Sequence, residues 1–320
     1  MNHSVQSYKI QHGGKEMASE AAVKKNKKKN YNNVAYLFVL PFIVVFLIFS
    51  VYPVIRTFYL SFMNYKGYGD PVFVGLDNYQ RAIGDKFFWR SIGNTLRIWI
   101  VNIVVQLGTA FLLTIVFSDI KYKVKGLGIF RALFYLPNLI AYTSVAFLFK
   151  TLLDWRYGTV NQILAKIGLC SSPINWFGER ATAGSTIAII LAWMWFGNSF
   201  IMLMAGVQGI SKDYFEAAAI DGAGRWTVFG KITLPLLKPI LLYVAITSLI
   251  GGLQMFDLPF LVAGGTHGNP GGSLQTVVMY MYKFGFETYQ VGYASAVAYV
   301  LFAIILVISI IQFKAFGKED

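Results

Sequence analysis

The chain has 320 residues, of which 56% are hydrophobic, 17% aromatic and only 13% charged. This balance excludes an ordinary soluble domain of this length. A net charge of +13 would also suit nucleic-acid binding, but the densest basic run, 24–29, lies just before the first apolar stretch. There it fits a topology signal and contact with anionic lipid. The single cysteine, Cys170, excludes an internal disulfide framework and a cysteine-based metal site.

The predicted elements begin with a basic, polar segment at 1–33, which is expected to be a disordered cytoplasmic tail because it has no apolar face to bury. Residues 34–316 are predicted to form an all-α domain of six transmembrane helices, followed by a cytoplasmic tail at 317–320. Each predicted helix lies on a charge-free stretch near or above the roughly 18–20 residues that cross a bilayer. These stretches are Val34–Ile55, Ile98–Ser118, Ala132–Phe149, Ala181–Ser211, Pro239–Phe256 and Thr288–Phe313.

Lysine and arginine set the expected orientation. With the N-terminus inside, the cytoplasmic segments carry 17 of the 28 Lys and Arg residues, and the outer segments, whose loops are longer, carry 11. Because positive residues concentrate on the cytoplasmic side of membrane proteins, both termini are predicted to be cytoplasmic. The loops at 119–128 and 208–238 then face the cytoplasm as well.

The loop at 208–238 is small, charged and broken by glycine. Ser211 can cap a short helix that stops at a glycine, and residues 225–232 can form a second short helix before Pro235. Its small side chains let another protein approach closely. We therefore expect a docking surface, the alternative being a solvated connector. The expected docking residues are Glu216, Ala217, Ala218, Asp221 and Gly222.

The sequence carries no pattern that indicates catalysis. It has no Gly-x-x-x-x-Gly-Lys-Ser/Thr segment for nucleotide phosphates, and its three histidines lack metal-ligand spacing. Asp257 is the one acidic residue near membrane depth, and for it a helix-end or loop-anchoring role is favoured over a role in passage. The chain is therefore expected not to be an enzyme. A membrane-embedded enzyme or a scaffold remains the alternative of a different class, and it leaves the cytoplasmic loop unexplained.

The same loop resembles a known family. Glu-Ala-Ala at 216–218, three residues, Gly222, nine residues and then Ile232-x-Leu234-Pro235 is similar to the signature loop of inner-membrane permeases of bacterial ABC importers. The resemblance covers about residues 34–316. Further segments resemble the maltose and oligosaccharide branch: Leu60–Tyr65, Phe73–Tyr79, Phe134–Pro137, Ile174–Trp176, Phe256–Asp257 and Gly292–Ala296.

The resemblance implies a permease subunit of the maltose type in the bacterial cell membrane, which moves a sugar or oligosaccharide into the cytoplasm by alternating access. It implies three kinds of partner: a second homologous permease, two ABC ATPase subunits and an extracytoplasmic sugar-binding protein. Membrane lipid is a further expected partner, from the basic run at 24–29. No nucleic acid is among them. ATP and magnesium would be bound by the ATPase subunits, so no cofactor is expected in this chain.

The resemblance also implies a substrate pathway, because the sugar site of the maltose permease can be carried onto matching positions. Amides can bind sugar hydroxyls and an aromatic ring can stack on a pyranose, although the same aromatics would also suit an interfacial belt or helix packing. The alternative cargoes are a polyol, glycerol-3-phosphate or a polysaccharide fragment. The expected pathway residues are Asn138, Tyr142, Trp193, Met194, Trp195, Asn198 and Gln254.

Overall fold

A computed structural model of the protein describes residues 36–118 and 125–316. The expected tails at 1–33 and 317–320 lie outside the described residues, as does most of the predicted cytoplasmic loop at 119–128. The docking loop and all of the expected pathway residues lie within them.

Two compact units make up the chain, Met1–Tyr59 and Leu60–Asp320. The first holds nearly all of helix α1, Tyr36–Ser61, whose length of 26 residues and mean hydropathy of 2.7 suit a membrane span. This helix widens into a π-helical segment at Leu47–Val51. The segment lies just before Pro53, which has no N–H to donate and whose ring displaces the carbonyl four residues earlier.

The second unit is built from helices joined by short turns, with one small hairpin. The hairpin pairs strand β1, Met63–Asn64, with the antiparallel strand β2, Val72–Phe73. The described helices are α2 (Asp77–Gly84), α3 (Lys86–Phe117), α4 (Leu127–Tyr135), α5 (Tyr142–Leu152), α6 (Thr159–Lys166), α7 (Arg180–Gln208), α8 (Lys212–Ile220), α9 (Arg225–Val228), α10 (Leu234–Leu236), α11 (Lys238–Leu253), α12 (Asp257–Ala263), α13 (Val277–Tyr282) and α14 (Val291–Phe316).

Five of the described helices are long and apolar enough to cross a membrane, and there are six if one bent pair counts as a single span. Besides α1 they are α3, α7, α14 and the run Lys238–Ala263, which joins α11 to α12. The all-α prediction is confirmed, with the two short strands as its one exception among the described residues.

The third predicted span, Ala132–Phe149, is wrong as a single helix, because α4 and α5 meet at an angle of 91°. Between them lies a 3₁₀ turn at Leu136–Leu139 that contains Pro137. Since proline supplies no N–H to an α-helical ladder, the helix tightens and ends there. Ile140 and Ala141 then adopt extended backbone, with ψ of 132° and 139°. Hydropathy measures how apolar a stretch is and contains no information on the direction of the chain, so the turn could not be predicted from it.

Buried apolar side chains hold the second unit together in clusters that each join several helices. One cluster joins α3, α5, α7 and α12 and includes Ile98, Val145, Ile187, Leu191, Met194, Leu258 and Val262. Another joins α3, α11, α13 and α14 and includes Phe88, Ile92, Leu249, Leu253, Val277 and Val297. Helix α3 contributes to both clusters and therefore positions the helices on either side of it.

Helices α4 and α7 touch backbone to backbone at Gly197. A Cβ added to this glycine would lie 1.9 Å from the carbonyl oxygen of Phe134. The Phe134 ring packs beside the contact against Phe196 and Phe200, with ring centroids 5.8 and 5.7 Å apart. Such an approach between helices requires a residue without a side chain.

A polar clamp lies where α3, α13 and α14 meet. The Tyr280 hydroxyl donates to the Asp85 carboxylate and lies 2.7 Å from the Tyr293 hydroxyl. Burial, strengthened by the hydrogen bond to Asp85, raises the pKa of Tyr280 far above its ordinary value, so the hydroxyl keeps its proton. The Arg81 guanidinium lies 4.0 Å from the centre of the Tyr293 ring and donates to Gln290 at 2.8 Å. The clamp fixes the N-terminal end of α3.

Replacing Gly197 with alanine is expected to destabilise the protein by about 1–3 kcal/mol, because the new methyl group would overlap a backbone oxygen that cannot move freely. Thermal unfolding of the purified protein in detergent would measure this loss. Gly184→Ala on the same helix is the matched control, since its Cβ would meet Ile98 at an ordinary 3.6 Å. Equal unfolding temperatures for the two variants would contradict the close contact.

Candidate functional site

A cavity of about 320 Å³ lies between α3, α5, α7, α11 and the start of α12. Its wall combines amides, hydroxyls and aromatic rings with apolar side chains, a mixture typical of sites for small polar molecules. The residues that line it are Asn102, Gln106, Tyr142, Leu191, Trp195, Asn198, Ser199, Met202, Tyr243, Val244, Thr247, Ser248, Gly251, Gly252, Gln254, Met255, Phe256, Asp257, Leu258 and Pro259.

Four of the seven expected pathway residues line this cavity: Tyr142, Trp195, Asn198 and Gln254. They come from three different helical segments, and the fold brings them together. Trp195 joins two of these segments, because its indole N–H donates to the Tyr142 hydroxyl at 3.3 Å. This hydrogen bond holds the ring of Trp195 at the cavity wall.

The other three expected residues do not line the cavity. Met194 is only 2% exposed and belongs to the buried cluster, while Trp193 packs edge to face on Phe149 at 5.4 Å. Each residue of a helix is rotated by about 100° from the one before it. Met194 and Trp193 therefore point away from the cavity that Trp195 faces. Asn138 lies in the 3₁₀ turn between α4 and α5.

Helix α11 presents one face to the cavity. Tyr243, Thr247, Gly251 and Gln254 recur at helical spacing, and all four are exposed. The Thr247 hydroxyl donates back to the Tyr243 carbonyl at 2.8 Å, which satisfies it within the helix. Gln254 is the C-cap of this helix and carries its amide at the point where the backbone leaves the helix. Its position makes the amide available to a molecule in the cavity.

Several polar residues of the cavity wall were not predicted from the sequence. Gln106 donates to the Ser199 hydroxyl at 2.7 Å, and Asn102 donates to the Ala188 carbonyl at 3.4 Å, so both amides tie α3 to α7. The signal was present, because Asn102 and Gln106 are four residues apart within an apolar stretch. Polar side chains at this spacing share a helix face, and in a membrane span that face is turned away from lipid.

Asp257 also lines the cavity, in the first turn of α12. The chain leaves its helix at Gln254 and re-enters it after Phe256, which brings this carboxylate to the cavity wall. The sequence left two roles open for Asp257, at a helix end or along the passage. Its position in the structure is compatible with both. Asp257 is therefore part of the candidate site.

The docking loop forms a helix–turn unit between α7 and α11. The Ser211 hydroxyl accepts from the backbone N–H of Asp213, as expected for an N-cap of α8. Helix α8 ends at Asp221 and Gly222, where Gly222 has φ of 69°. Hydrogen bonds from Gly222 to Ala219 and from Ala223 to Ala218 complete a Schellman cap, which explains the glycine.

The expected docking side chains divide between two faces of α8. Glu216, Ala217 and Asp221 are exposed, whereas Ala218 is only 6% exposed. Ala218 follows the buried Phe215 by three residues and so shares its inward face. Ala217 can form a contact surface for a partner, and Ala218 instead packs within the chain.

The second short helix of the loop does not end before Pro235 as expected. Helix α9 continues through a π-helical segment at Phe229–Thr233 into α10, which contains Pro235. The N–H of Leu234 reaches back five residues to Phe229, so the segment absorbs the break that proline would cause. Trp226, 68% exposed, and Ile220, 87% exposed, leave an apolar surface on this unit.

Comparison with known proteins identifies relatives along nearly the whole chain. The family described as "Binding-protein-dependent transport system inner membrane component" matches residues 30–315. The lactose transport system permease protein LacF of Rhizobium radiobacter is 34% identical over 290 residues, covering 90% of this chain and 95% of that protein. The arabinooligosaccharides transport system permease protein AraP of Bacillus subtilis is 34% identical over 284 residues, covering 88% of each.

Two solved structures share the fold. A bacterial ABC transporter involved in the import of the acidic polysaccharide alginate superposes with a TM-score of 0.77 and 24% identity, covering 91% of this chain and 98% of that one. A bacterial alginate ABC transporter in complex with an alginate pentasaccharide-bound periplasmic protein gives a TM-score of 0.74 and 25% identity, with coverages of 89% and 94%. The resemblance drawn from the loop and the shorter motifs is thereby confirmed.

Gln106 and Ser199 are expected to be coupled by about 0.5–1.5 kcal/mol, since each leaves a buried partner unsatisfied when it is replaced alone. A double-mutant cycle of Gln106→Leu and Ser199→Ala, read by thermal unfolding, would measure this coupling. Thr109→Val combined with Ser199→Ala is the control, because the Thr109 hydroxyl bonds to the Val105 carbonyl of its own helix and, within the described residues, to no other group. Additive effects of Gln106→Leu and Ser199→Ala would show that the hydrogen bond contributes no stability.

Proposed function

Because this chain belongs to the family of binding-protein-dependent transport system inner membrane components, we propose that it is the permease subunit of an ATP-driven importer for a sugar or oligosaccharide. It is a multi-pass membrane protein. The named relatives LacF and AraP transport lactose and arabinooligosaccharides. Their cargoes support a carbohydrate as the molecule that this chain carries into the cytoplasm.

The cavity is the observation that carries the proposal. Gln254 and Asn198 place amides where they can exchange hydrogen bonds with hydroxyls, and Trp195 offers a ring for the apolar face of a sugar. The ring is held by its hydrogen bond to Tyr142. Sugar recognition needs both features, because a pyranose has polar edges and apolar faces.

The proposed partners follow from the family. The chain pairs with a second homologous permease, and two ABC ATPase subunits bind ATP and magnesium on the cytoplasmic side. An extracytoplasmic binding protein delivers the sugar, in keeping with the alginate transporter solved together with its periplasmic protein. Both termini and the docking loop face the cytoplasm, as the distribution of lysine and arginine favours.

Transport proceeds by alternating access, in which the spans rock between outward-open and inward-open arrangements without covalent chemistry on the sugar. The docking loop receives the motion of the ATPase subunits. Glu216, Ala217 and Asp221 offer an exposed surface for docking, and Gly222 gives α8 its sharp end. The energy of ATP hydrolysis therefore reaches the cavity through the helices on both sides of this loop.

A polysaccharide fragment is the second candidate cargo. The observation that favours it is the shared fold with the alginate transporter. A polyol or glycerol-3-phosphate is less well supported, since a phosphate calls for lysine or arginine and none lines the cavity among the described residues.

Replacing Gln254 with alanine is expected to remove one or two hydrogen bonds to the sugar, each worth about 0.5–1.5 kcal/mol, and to weaken transport roughly tenfold. Uptake of radiolabelled oligosaccharides into proteoliposomes that contain the assembled importer would show the loss. Gln80→Ala removes an exposed amide of α2 outside the cavity and should leave uptake unchanged. Parental uptake by the Gln254→Ala importer at all sugar concentrations would remove Gln254 from the pathway.

Glu216→Lys is expected to reduce the amount of ATPase subunit that remains bound to the permease during affinity purification. Charge reversal at a close interface places like charges together or leaves a partner unpaired, at a cost of several kcal/mol. The control is Glu179→Lys, the same reversal on an exposed carboxylate that precedes α7 at the opposite end from the loop. If both variants retained the ATPase subunit equally, Glu216 would not belong to the docking surface.

A further inference from the structure

The wall of the cavity carries a single formal charge. Among the lining residues, all of which lie in the described part of the chain, Asp257 is the only one whose side chain carries a formal charge. No lysine, arginine or histidine is among them. The remaining polar groups are amides and hydroxyls, which are neutral and cannot offset a carboxylate. The formal charge of the cavity wall is therefore negative, and a low-dielectric environment would strengthen its field.

Asp257 is held at this wall without a partner of its own. Its side chain is exposed, and within residues 36–118 and 125–316 it forms no hydrogen bond or ion pair. Lys150 approaches α12 one turn further on, where it donates to the Leu261 carbonyl at 3.4 Å, and it does not line the cavity. A carboxylate inside the Lys238–Ala263 span is costly unless water or a ligand solvates it. Water or a ligand in the cavity can supply such partners.

An ionised carboxylate accepts hydrogen bonds and donates none. Two adjacent hydroxyls of a sugar ring match its two oxygens, and such charge-assisted bonds are short and strong. A carboxylate or phosphate on the sugar would instead place two negative charges in one low-dielectric cavity. We infer that Asp257 is a charge filter, which binds neutral sugars through paired hydroxyls and excludes anionic ones. The inference rests on the proposed function, since it takes the cavity as the sugar passage.

The fold alone does not set the charge of the cargo. The importer of the acidic polysaccharide alginate shares the fold of this chain. The choice between a neutral and an acidic sugar must then be made by individual side chains at the cavity. In this chain the formal charge on the cavity wall is that of Asp257, and a negative charge opposes an acidic cargo.

The filter can be tested without knowing the sugar. Gly251 lines the cavity, and a side chain added there meets nothing within 4 Å, so Gly251→Cys in a Cys170→Ser background places one thiol inside. The probes are a cationic and an anionic methanethiosulfonate of similar size, applied to the assembled importer in proteoliposomes. The ratio of their reaction rates reports the local potential, since the reactivity of the thiol itself cancels. The cationic probe is expected to react about tenfold faster or more.

Asp257→Asn keeps the shape of the side chain and removes its charge, so it should lower this ratio about fivefold or more. Asp257→Glu should keep the high ratio, because it retains the negative charge. Glu179→Gln removes a carboxylate that does not line the cavity and should leave the ratio unchanged. Equal ratios for the parent and Asp257→Asn would overturn the charge filter.

Sugar uptake separates this inference from the proposed function. A neutral galacto-oligosaccharide and an oligogalacturonate of the same length are the probes, and Asp257→Asn should narrow the preference for the neutral one about tenfold. Uptake of the neutral sugar with an unchanged preference would overturn the filter and leave the importer assignment standing. A potential that depends on Asp257 without uptake of either sugar would count against the carbohydrate cargo and would support the electrostatic part of the inference.

Discussion

Backbone hydrogen bonding is the constraint on which the rest of this structure depends. In lipid, every N–H and C=O group must find a partner within the protein, so a span can leave helical geometry only where it is shielded or lines a cavity. The described spans of the second unit follow this rule. The run Lys238–Ala263 breaks between Gln254 and Phe256, and this break lines the cavity. Irregular backbone and polar function therefore occur at the same place.

Proline creates the irregular points, and the chain accommodates it in two ways. Before Pro53 and before Pro235 the helix widens into a π-helical segment, and a hydrogen bond to the residue five positions back keeps the helix continuous. At Pro137 the helix instead tightens and turns, and the chain bends by 91°. Tyr142, the first residue after this bend, lines the cavity. Two proline-containing helices thus stay continuous through a π-helical segment, and a third changes direction at its proline.

The sequence predicted the spans well because hydrophobic length is a direct consequence of bilayer thickness. It also predicted the cap at Ser211 and the stop at Gly222, since both depend on local backbone chemistry. It could not resolve rotation about the helix axis, since each residue is turned by about 100° from the one before it, and Trp195 lines the cavity while Trp193 does not. It also failed for Gln106, whose partner Ser199 is 93 residues away along the chain.

The order of the elements joins the docking loop to the cavity. Helix α7 enters the loop and α11 leaves it, and these two helices carry Trp195, Asn198 and Gln254 to the cavity wall. At a rise of 1.5 Å per residue, the cavity residues lie roughly 15–24 Å from the ends of the loop along continuous helix. A helix of this length moves as a rigid rod once its neighbours hold it. Under the proposed function, any displacement of α8 therefore reaches two helices of the cavity wall, and no separate relay is needed between ATP hydrolysis and the sugar.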